Sequence, residues 1–542
     1  MASCSRVPVP GPERQVKTVH VDLYDTTLRD GTQQEGISPT VADKLRVASV
    51  VDTLGVRYIE GGWPGANPKD SEFFRRAADG ELTLERAQLT AFGMTRRPRG
   101  SADSDPVLAA LLDARTSVVC MVGKASASHV RDALGVTLDE GIAMVADSVR
   151  FLVAQGRRVF FDAEHFFDGH AEDPGFALAV LDVAADAGAA CVVLCDTNGG
   201  ALPDQVRGVV TEAVARMGER AQVGIHVHND TDCAVANTLV AVQAGATHVQ
   251  GTVNGIGERC GNADLISVLA NLKLKLGMEV CSNDDLQRLT GVAHGVAEVL
   301  NLTPDPHAPY VGSAAFAHKA GLHVSALAKR TDFYQHVEPE RVGNSLRLLV
   351  SELAGRATVV MKGAGFGLDL AERPEVVDRV LSRVKSLEHA GYAFEAADAS
   401  FELLVREEGG EQPVAFTLES FRSIVERRED GQVVAEATVK VWVGEERLIG
   451  AGEGNGPVDA LDAAFRAAVS GHFPHLAKLS LADYKVRILD ANAGTAATTR
   501  VLLTSSDGER DFTTVGVSSN VIEASWRAMA DAYAYALAAD AG

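Results

Sequence analysis

The 542-residue chain has no apolar run long enough to cross a hydrocarbon layer of about 30 Å, which excludes a helical membrane protein. Residues 1–16 hold Pro8, Pro10 and Pro12 among scattered charges and no apolar core segment, so they read as a loose tail and not as a secretory signal. No basic patch or tail stands out. The 51 Lys and Arg face 73 Asp and Glu, a formal net charge of -22, which argues against non-specific nucleic-acid binding. Cysteine is sparse: seven residues without a paired spacing fit a reducing cytoplasm rather than a disulfide-stapled scaffold. Cys191 and Cys195 share a strand face but sit about 13 Å apart along it, too far to bridge. The glycines between Gly251 and Gly261 do not fit the G-x-G-x-x-G dinucleotide fingerprint.

What remains is a soluble globular composition, 46% hydrophobic and 23% charged, in a chain too long for one ordinary core. Two or three domains are expected. Short apolar runs that read as strands lie near 18–24, 57–62, 88–93, 117–123, 158–163, 191–196, 223–229 and 248–254. Helical periodicity fills the gaps at 39–54, 177–187, 202–217, 234–244 and 265–276. In the first of these Val41, Leu45, Val47, Val51 and Leu54 form one stripe, Ser38 or Thr40 is the N-cap and Gly55 the stop. Eight strands alternating with helices predict an α/β fold of parallel units closed into a (β/α)8 barrel. A doubly wound open sheet is the alternative.

The rhythm then changes. Residues 291–396 read as helical linker subdomains, interrupted by Pro304, Pro306 and Pro309. From 397 onward an α+β module is expected, with alternating segments at 400–405 and 433–442, a helix near 457–472, strands near 483–490 and 498–505, and a last helix near 520–538. Strands followed by a helix, twice, suggest an internal duplication. The expected organisation is thus a tail (1–16), a barrel (17–290), the linker (291–396) and a C-terminal domain (397–542).

The run Gly224-Ile225-His226-Val227-His228-Asn229-Asp230 carries the first chemical signal. On a strand, His226 and His228 share one face about 7 Å apart, while Val223, Ile225 and Val227 take the other, where a core wants them. Two neutral imidazoles on one rigid face can grip a divalent cation, although His-x-His pairs commonly hold none. At the mouth of the first strand comes Asp25-Thr26-Thr27-Leu28-Arg29-Asp30-Gly31. Asp30 is a hard oxygen donor suited to Mg2+ or Mn2+, and Arg29 is a permanent cation for a developing oxyanion. Alone, such a pair also reads as a structural salt bridge. After the last strand Asn262 can offer a carbonyl oxygen, or it can simply cap the next helix. Joined, Asp30, His226, His228 and Asn262 make an oxygen-rich, two-imidazole site with room for a bidentate substrate.

Asp25 to Gly31, His226 to Asp230 and Gly255-Ile256-Gly257-Glu258-Arg259-Cys260-Gly261-Asn262, in this order, resemble the α-isopropylmalate synthase / homocitrate synthase / HMG-CoA lyase superfamily, the DRE-TIM metallolyases. Gly31 to Gly36, Ile59 to Gly65, Asp162 to Gly169 and Leu194 to Gly200 are similar to its citramalate synthase branch. The lyase branch fits less well, because its loop cysteine sits further ahead of the ligand Asn than Cys260 does here. The end of the chain resembles that family's regulatory and dimerising domain.

The resemblance implies a Claisen-type condensation of acetyl-CoA with a 2-oxo acid, pyruvate in that branch, followed by thioester hydrolysis, in isoleucine biosynthesis. It implies a divalent ion, Mg2+ or Mn2+ first and Zn2+ next, on Asp30, His226, His228 and Asn262. Arg29, Glu164 and Thr197 match positions that contact the keto acid, with Arg29 and Glu164 also catalytic. His323, in Phe316-Ala317-His318-Lys319-Ala320-Gly321-Leu322-His323, matches a linker histidine that serves catalysis across a homodimer, and imidazoles in general suit proton transfer. Tyr334 matches an assisting tyrosine, whereas His318 reads as a satisfied polar histidine. Isoleucine is the implied effector of the C-terminal domain. Two other readings stay open: a sister enzyme for a larger 2-oxo acid (2-isopropylmalate or homocitrate synthase), and a non-enzymatic small-molecule sensor.

Overall fold

The computed structural model describes residues 20–411, 415–490, 494 and 497–540. The tail expected at 1–16 lies outside the described residues. The chain divides into two compact units, Met1–Phe316 with Val337–Ser345, and Ala317–His336 with Leu346–Gly542.

The first unit is the closed eight-stranded parallel barrel that the βα rhythm predicts. Its strands are β1 (Asp22–Asp25), β2 (Tyr58–Gly62), β3 (Gln88–Met94), β4 (Val118–Lys124), β5 (Arg158–Glu164), β6 (Cys191–Asp196), β7 (Gln222–Val227) and β8 (His248–Gly251). Pairing of β1 with β8, Asp22 opposite His248 through Asp25 opposite Gly251, closes the ring. An open sheet is thereby excluded. Helices fall where the apolar stripes place them. The helix Val41–Asp52 is capped by Thr40, whose hydroxyl accepts from the Asp43 N–H while Asp43 reaches back to the Thr40 N–H.

Alternation divides each strand between two environments. Outward residues such as Leu23, Ile59, Phe161, Val192 and Ile225 pack under the helices. Inward residues fill the lumen in layers. Toward the strand N-termini Tyr24, Tyr58, Phe160 and His248 pack ring against ring, with centroids 4.9 to 6.1 Å apart, and Cys120, Cys191 and Val193 complete the plug. Gly224 is required beside it, since a Cβ there would lie 2.9 Å from the His248 ring. One register step further the lumen turns polar, with Glu60, Asp162, His226 and Gln250, all buried. The apolar plug closes one end and leaves the C-terminal end for chemistry. The cysteines among the described residues are free, Cys191 and Cys195 included.

The second unit opens on a short parallel pair, Ala317–His318 with Arg347–Leu348, and a set of helices. Val359, Val376, Val380, Phe401 and Val405 share one core. The alternation read at 400–405 is not a strand: Asp398–Glu408 is helical. Phe401, Leu404 and Val405 recur at the spacing of one helix face, and the flanking Glu and Arg favour helix, so a short apolar run misled by its length.

Two copies of one plan follow. Strands β9 (Thr417–Arg427), β10 (Val433–Val443) and β11 (Glu446–Gly454) form an antiparallel sheet ahead of the helix Pro457–Val469. Strands β12 (Ser480–Ile488), β13 (Thr499–Ser506) and β14 (Asp511–Ser518) form a second, ahead of the helix Val521–Asp540. This is the expected duplication. In each copy the helix lies directly on glycines of the third strand. A Cβ at Gly450 would sit 2.1 Å from the Ala464 carbonyl oxygen, and one at Gly516 would sit 2.0 Å from that of Ala524. The helices can approach this closely only because no side chain intervenes.

Gly516→Val therefore wedges helix from sheet and should destabilise this module by about 1–3 kcal/mol or more. Urea unfolding followed by tryptophan emission, to which Trp442 and Trp526 contribute, should show an earlier midpoint. An unchanged midpoint would refute the close-packing account.

Candidate active site

The site is assembled from strand ends. After β1 the chain turns sharply, with the Arg29 and Gly31 N–H groups both donating to the Thr26 carbonyl. The turn is tied down at its base: Thr27 donates its hydroxyl to Asp25 (2.6 Å) and accepts from the Val253 N–H (2.9 Å), joining the loops after β1 and β8. Burial pushes the Asp25 carboxyl up to about 7. His226 projects into the lumen near the end of β7, and His228 lies just beyond it. The residue pair His228 and Asn262 forms an isolated antiparallel bridge, which sets Asn262 against the imidazoles. Asp264, not Asn262, caps the following helix. The capping reading of Asn262 is thereby excluded.

Three donor atoms converge. Asp30 Oδ2 lies 3.1 Å from His226 Nε2 and 3.7 Å from His228 Nε2, and the two Nε2 atoms are 3.2 Å apart. Ligands at about 2.1 Å from a shared cation are separated by about 3.0 Å across an octahedral edge and about 3.4 Å across a tetrahedral one. The trio therefore fits one divalent ion. Asn262 differs from expectation in its orientation: Nδ2 donates to Asp30 Oδ2 (3.0 Å), and the buried Oδ1 has no partner. The carboxylate needs a donor in this arrangement, so the amide presents its N–H. A half-turn of the amide exchanges the two atoms and delivers the oxygen to the cluster.

Electrostatics point the same way. Burial opposes the charge on Asp30, but Arg29 and the two imidazoles outweigh it and hold the carboxyl well below the usual range. Burial likewise opposes the Arg29 charge, and Asp30 and Glu60 outweigh it. Burial, then His226, pushes His228 down to about 4. Burial pushes Asp162 up to about 6, against the pull of His226. The lumen thus gathers the carboxyl groups of Asp30, Glu60 and Asp162 around one guanidinium and two imidazoles, a setting that favours a divalent cation.

Arg29 is fixed from two sides. Its Nε donates to Glu60 (2.7 Å), and its guanidinium lies 3.9 Å from the centre of the Phe92 ring. Glu60 also accepts from Tyr24 and Thr26, each at 2.7 Å. A cavity of about 350 Å³ opens beside the donor trio, lined by Arg29, Asp30, Glu164, Thr197, His226 and His228 together with apolar side chains. Glu164 pairs with Lys124 across its mouth. Thr197 Oγ1 accepts from the His165 N–H at 2.8 Å, which leaves the hydroxyl proton to donate elsewhere. Arg259, at φ +54°, donates to Asp230 (2.8 and 3.0 Å) and to the Thr197 carbonyl (2.9 Å). His323 and Tyr334 belong to the second unit, where their rings stack with centroids 4.1 Å apart.

The sequence motifs give no role to Glu60, Lys124, Asp162, Gln250 or Arg259. Glu60 and Lys124 carry a usable signal, a charged residue at an inward position near a strand end. The bond between Asp162 and Gln250 carries none, because it joins two strands that are not neighbours in the ring.

Residues 20–296 match the HMGL-like family, residues 310–391 the homocitrate synthase post-HMGL domain-like family, and residues 395–537 the LeuA allosteric (dimerisation) domain. The chain is 55% identical over 516 residues to the (R)-citramalate synthase of Streptomyces coelicolor, covering 95% of this chain and 96% of that one. It is 47% identical to the (R)-citramalate synthase of Synechocystis, covering 95% and 96%. To a probable 2-isopropylmalate synthase of Methanopyrus kandleri it is 31% identical, covering 94% and 96%.

Proposed function

Because the chain belongs to the HMGL-like family and carries a LeuA allosteric (dimerisation) domain after its barrel, we propose that it works as an (R)-citramalate synthase, condensing acetyl-CoA with pyruvate. The observation that carries this reading is the convergence of Asp30, His226 and His228 at the mouth of the barrel, in a chain that shares about half its residues with (R)-citramalate synthases along 95% of its length. A divalent cation held by these three residues and Asn262 would polarise the keto group as a Lewis acid. Mg2+ or Mn2+ suits the carboxylate and amide oxygens, and two imidazoles also admit Zn2+.

The protein's own groups supply the rest. Arg29, clamped by Glu60, faces the oxygen that becomes an alkoxide when the acetyl carbon attacks the keto carbon. Glu164 and Thr197 orient the keto acid, the threonine through its uncommitted hydroxyl proton. His323, steadied by Tyr334, takes a proton from the acetyl methyl group; the resulting carbon nucleophile forms the new C–C bond, the alkoxide so formed takes up a proton to become the product hydroxyl, and water then cleaves the thioester to release CoA. His323 sits beside the exposed side chains of Leu322, Phe333 and Tyr334, a surface suited to entering the barrel of a second copy in a homodimer. Trp63, Phe92, Met94, Val122 and Leu134 give the cavity an apolar wall that suits the methyl group of pyruvate.

The C-terminal module holds a separate cavity of about 740 Å³, lined by Pro457, Val458, Leu479, Leu503 and Met529 among others. Its apolar lining suits isoleucine as effector, with coupling to the barrel as the allosteric step.

Two assays test these readings. CoA release measured with pyruvate, 2-oxoisovalerate and 2-oxoglutarate should give the highest kcat/KM for pyruvate, by at least about tenfold. Preference for either larger acid would transfer the protein to a sister activity. Isoleucine should inhibit that turnover, and Met529→Trp, which fills the second cavity, should weaken inhibition by about tenfold or more while turnover without isoleucine is kept. Undiminished inhibition would place the effector elsewhere.

A further inference from the structure

Behind the donor trio runs a buried polar chain that the reaction itself does not use. His226 Nδ1 lies 2.8 Å from Gln250 Oε1, and Gln250 Nε2 donates to Asp162 Oδ1 at 2.9 Å. The three residues are 5%, 1% and 2% exposed, so water does not substitute for these bonds. They come from β7, β8 and β5. Strand β8 pairs with β7 and β1, and β5 pairs with β4 and β6. The bond from Gln250 to Asp162 therefore crosses the lumen between strands that share no ladder.

This crossing has a direction. A glutamine amide offers a donor at one end and an acceptor at the other. Asp162, a carboxylate, accepts, so the Nε2 end must face it and Oε1 must face His226. Nδ1 of His226 then carries a proton toward Gln250, and Nε2, 3.1 Å from Asp30 Oδ2 and 3.2 Å from His228 Nε2, is the nitrogen left to ligate a cation. Reversing the amide would set Oε1 against the Asp162 carboxylate and force the His226 proton onto Nε2, where it would block ligation. The second imidazole lacks such a device. His228 Nδ1 lies 3.1 Å from Arg259 Nη2, whose two N–H groups already face Asp230 and the Thr197 carbonyl, so no buried acceptor fixes its proton. One imidazole is preset for a cation and the other is not.

We propose that Gln250, oriented from across the barrel by Asp162, is a positioning residue that locks His226 in the Nδ1–H tautomer and thereby sets the affinity of the site for a divalent cation. The proposal rests on the metal reading given above. Outer-shell partners that fix a ligand histidine are worth about 10–100-fold in metal affinity. The cost of losing them falls on binding, not on the fold, provided the lumen stays packed.

The test is Mn2+ binding to the full-length protein, read from the electron paramagnetic resonance signal of the free ion. Thermal unfolding without metal serves as the packing control. The unaltered protein should bind one strongly held Mn2+ per chain, and Asp30→Ala should abolish this. Failure of either result would sink the metal reading itself. If both hold, Gln250→Leu should weaken binding by about 10–100-fold. Asp162→Asn should weaken it by at least several-fold, although the hydrogen bond of Asp162 in this chain is to Gln250 and not to a donor atom. Gln250→Glu, whose carboxyl can still accept from Nδ1, should recover part of the loss of Gln250→Leu. If Gln250→Leu lowers the metal-free melting temperature sharply, the Asp162→Asn and Gln250→Glu arms decide. Affinity within twofold of the unaltered protein in Gln250→Leu or Asp162→Asn, or no recovery in Gln250→Glu, would overturn the proposal.

Discussion

Three carboxylates sealed inside a barrel with one guanidinium are the constraint on which the rest of this structure turns. Asp30, Glu60 and Asp162 are each no more than 3% exposed, and Arg29 and the imidazoles of His226 and His228 answer them. An interior cannot hold surplus negative charge unless something compensates it. Arg29 partly compensates by touching both Asp30 and Glu60. Gln250 adds a donor to Asp162, and Tyr24 and Thr26 add donors to Glu60. What is left is a set of oxygen and nitrogen lone pairs aimed at one point among Asp30, His226 and His228. A divalent cation held there would answer that remainder and activate a keto group, as the proposed function requires.

The barrel makes this arrangement tolerable by separating its two functions along the strand axis. Tyr24, Tyr58, Phe160 and His248 occupy one layer and supply packing, while Glu60, Asp162, His226 and Gln250 occupy the next and supply polarity. Strands β2, β5 and β8 each contribute to both layers, through Tyr58 and Glu60, Phe160 and Asp162, and His248 and Gln250, since inward positions recur every second residue. The second unit solves a different problem with a repeated unit. Two three-stranded sheets each receive a helix on a glycine-lined strand, through Gly450 in one copy and Gly516 in the other.

Much of this is legible in the amino-acid sequence itself. The βα rhythm predicts the closed barrel, and the alternation of His226-Val227-His228 places both rings on one face with the valines on the other. Asp30 stands out as a hard donor just after a strand end. Two kinds of feature are not legible. Residues 400–405 alternate over too short a stretch to tell strand from helix, and the face formed by Phe401, Leu404 and Val405 decides for helix only once it has a core to meet. Gln250 and Asp162 lie 88 residues apart on strands that share no ladder, so no local pattern announces their bond. The orientation of the Asn262 amide belongs to the same class, because it answers to Asp30, 232 residues away.

The most direct check of the central claim is the anomalous difference map of crystals grown in Mn2+. The account expects a single strong peak at about 2.1–2.3 Å from Asp30 Oδ2, His226 Nε2 and His228 Nε2, with the Asn262 amide turned to present Oδ1. A saturated protein whose manganese lies away from these atoms, or which shows none, would contradict it.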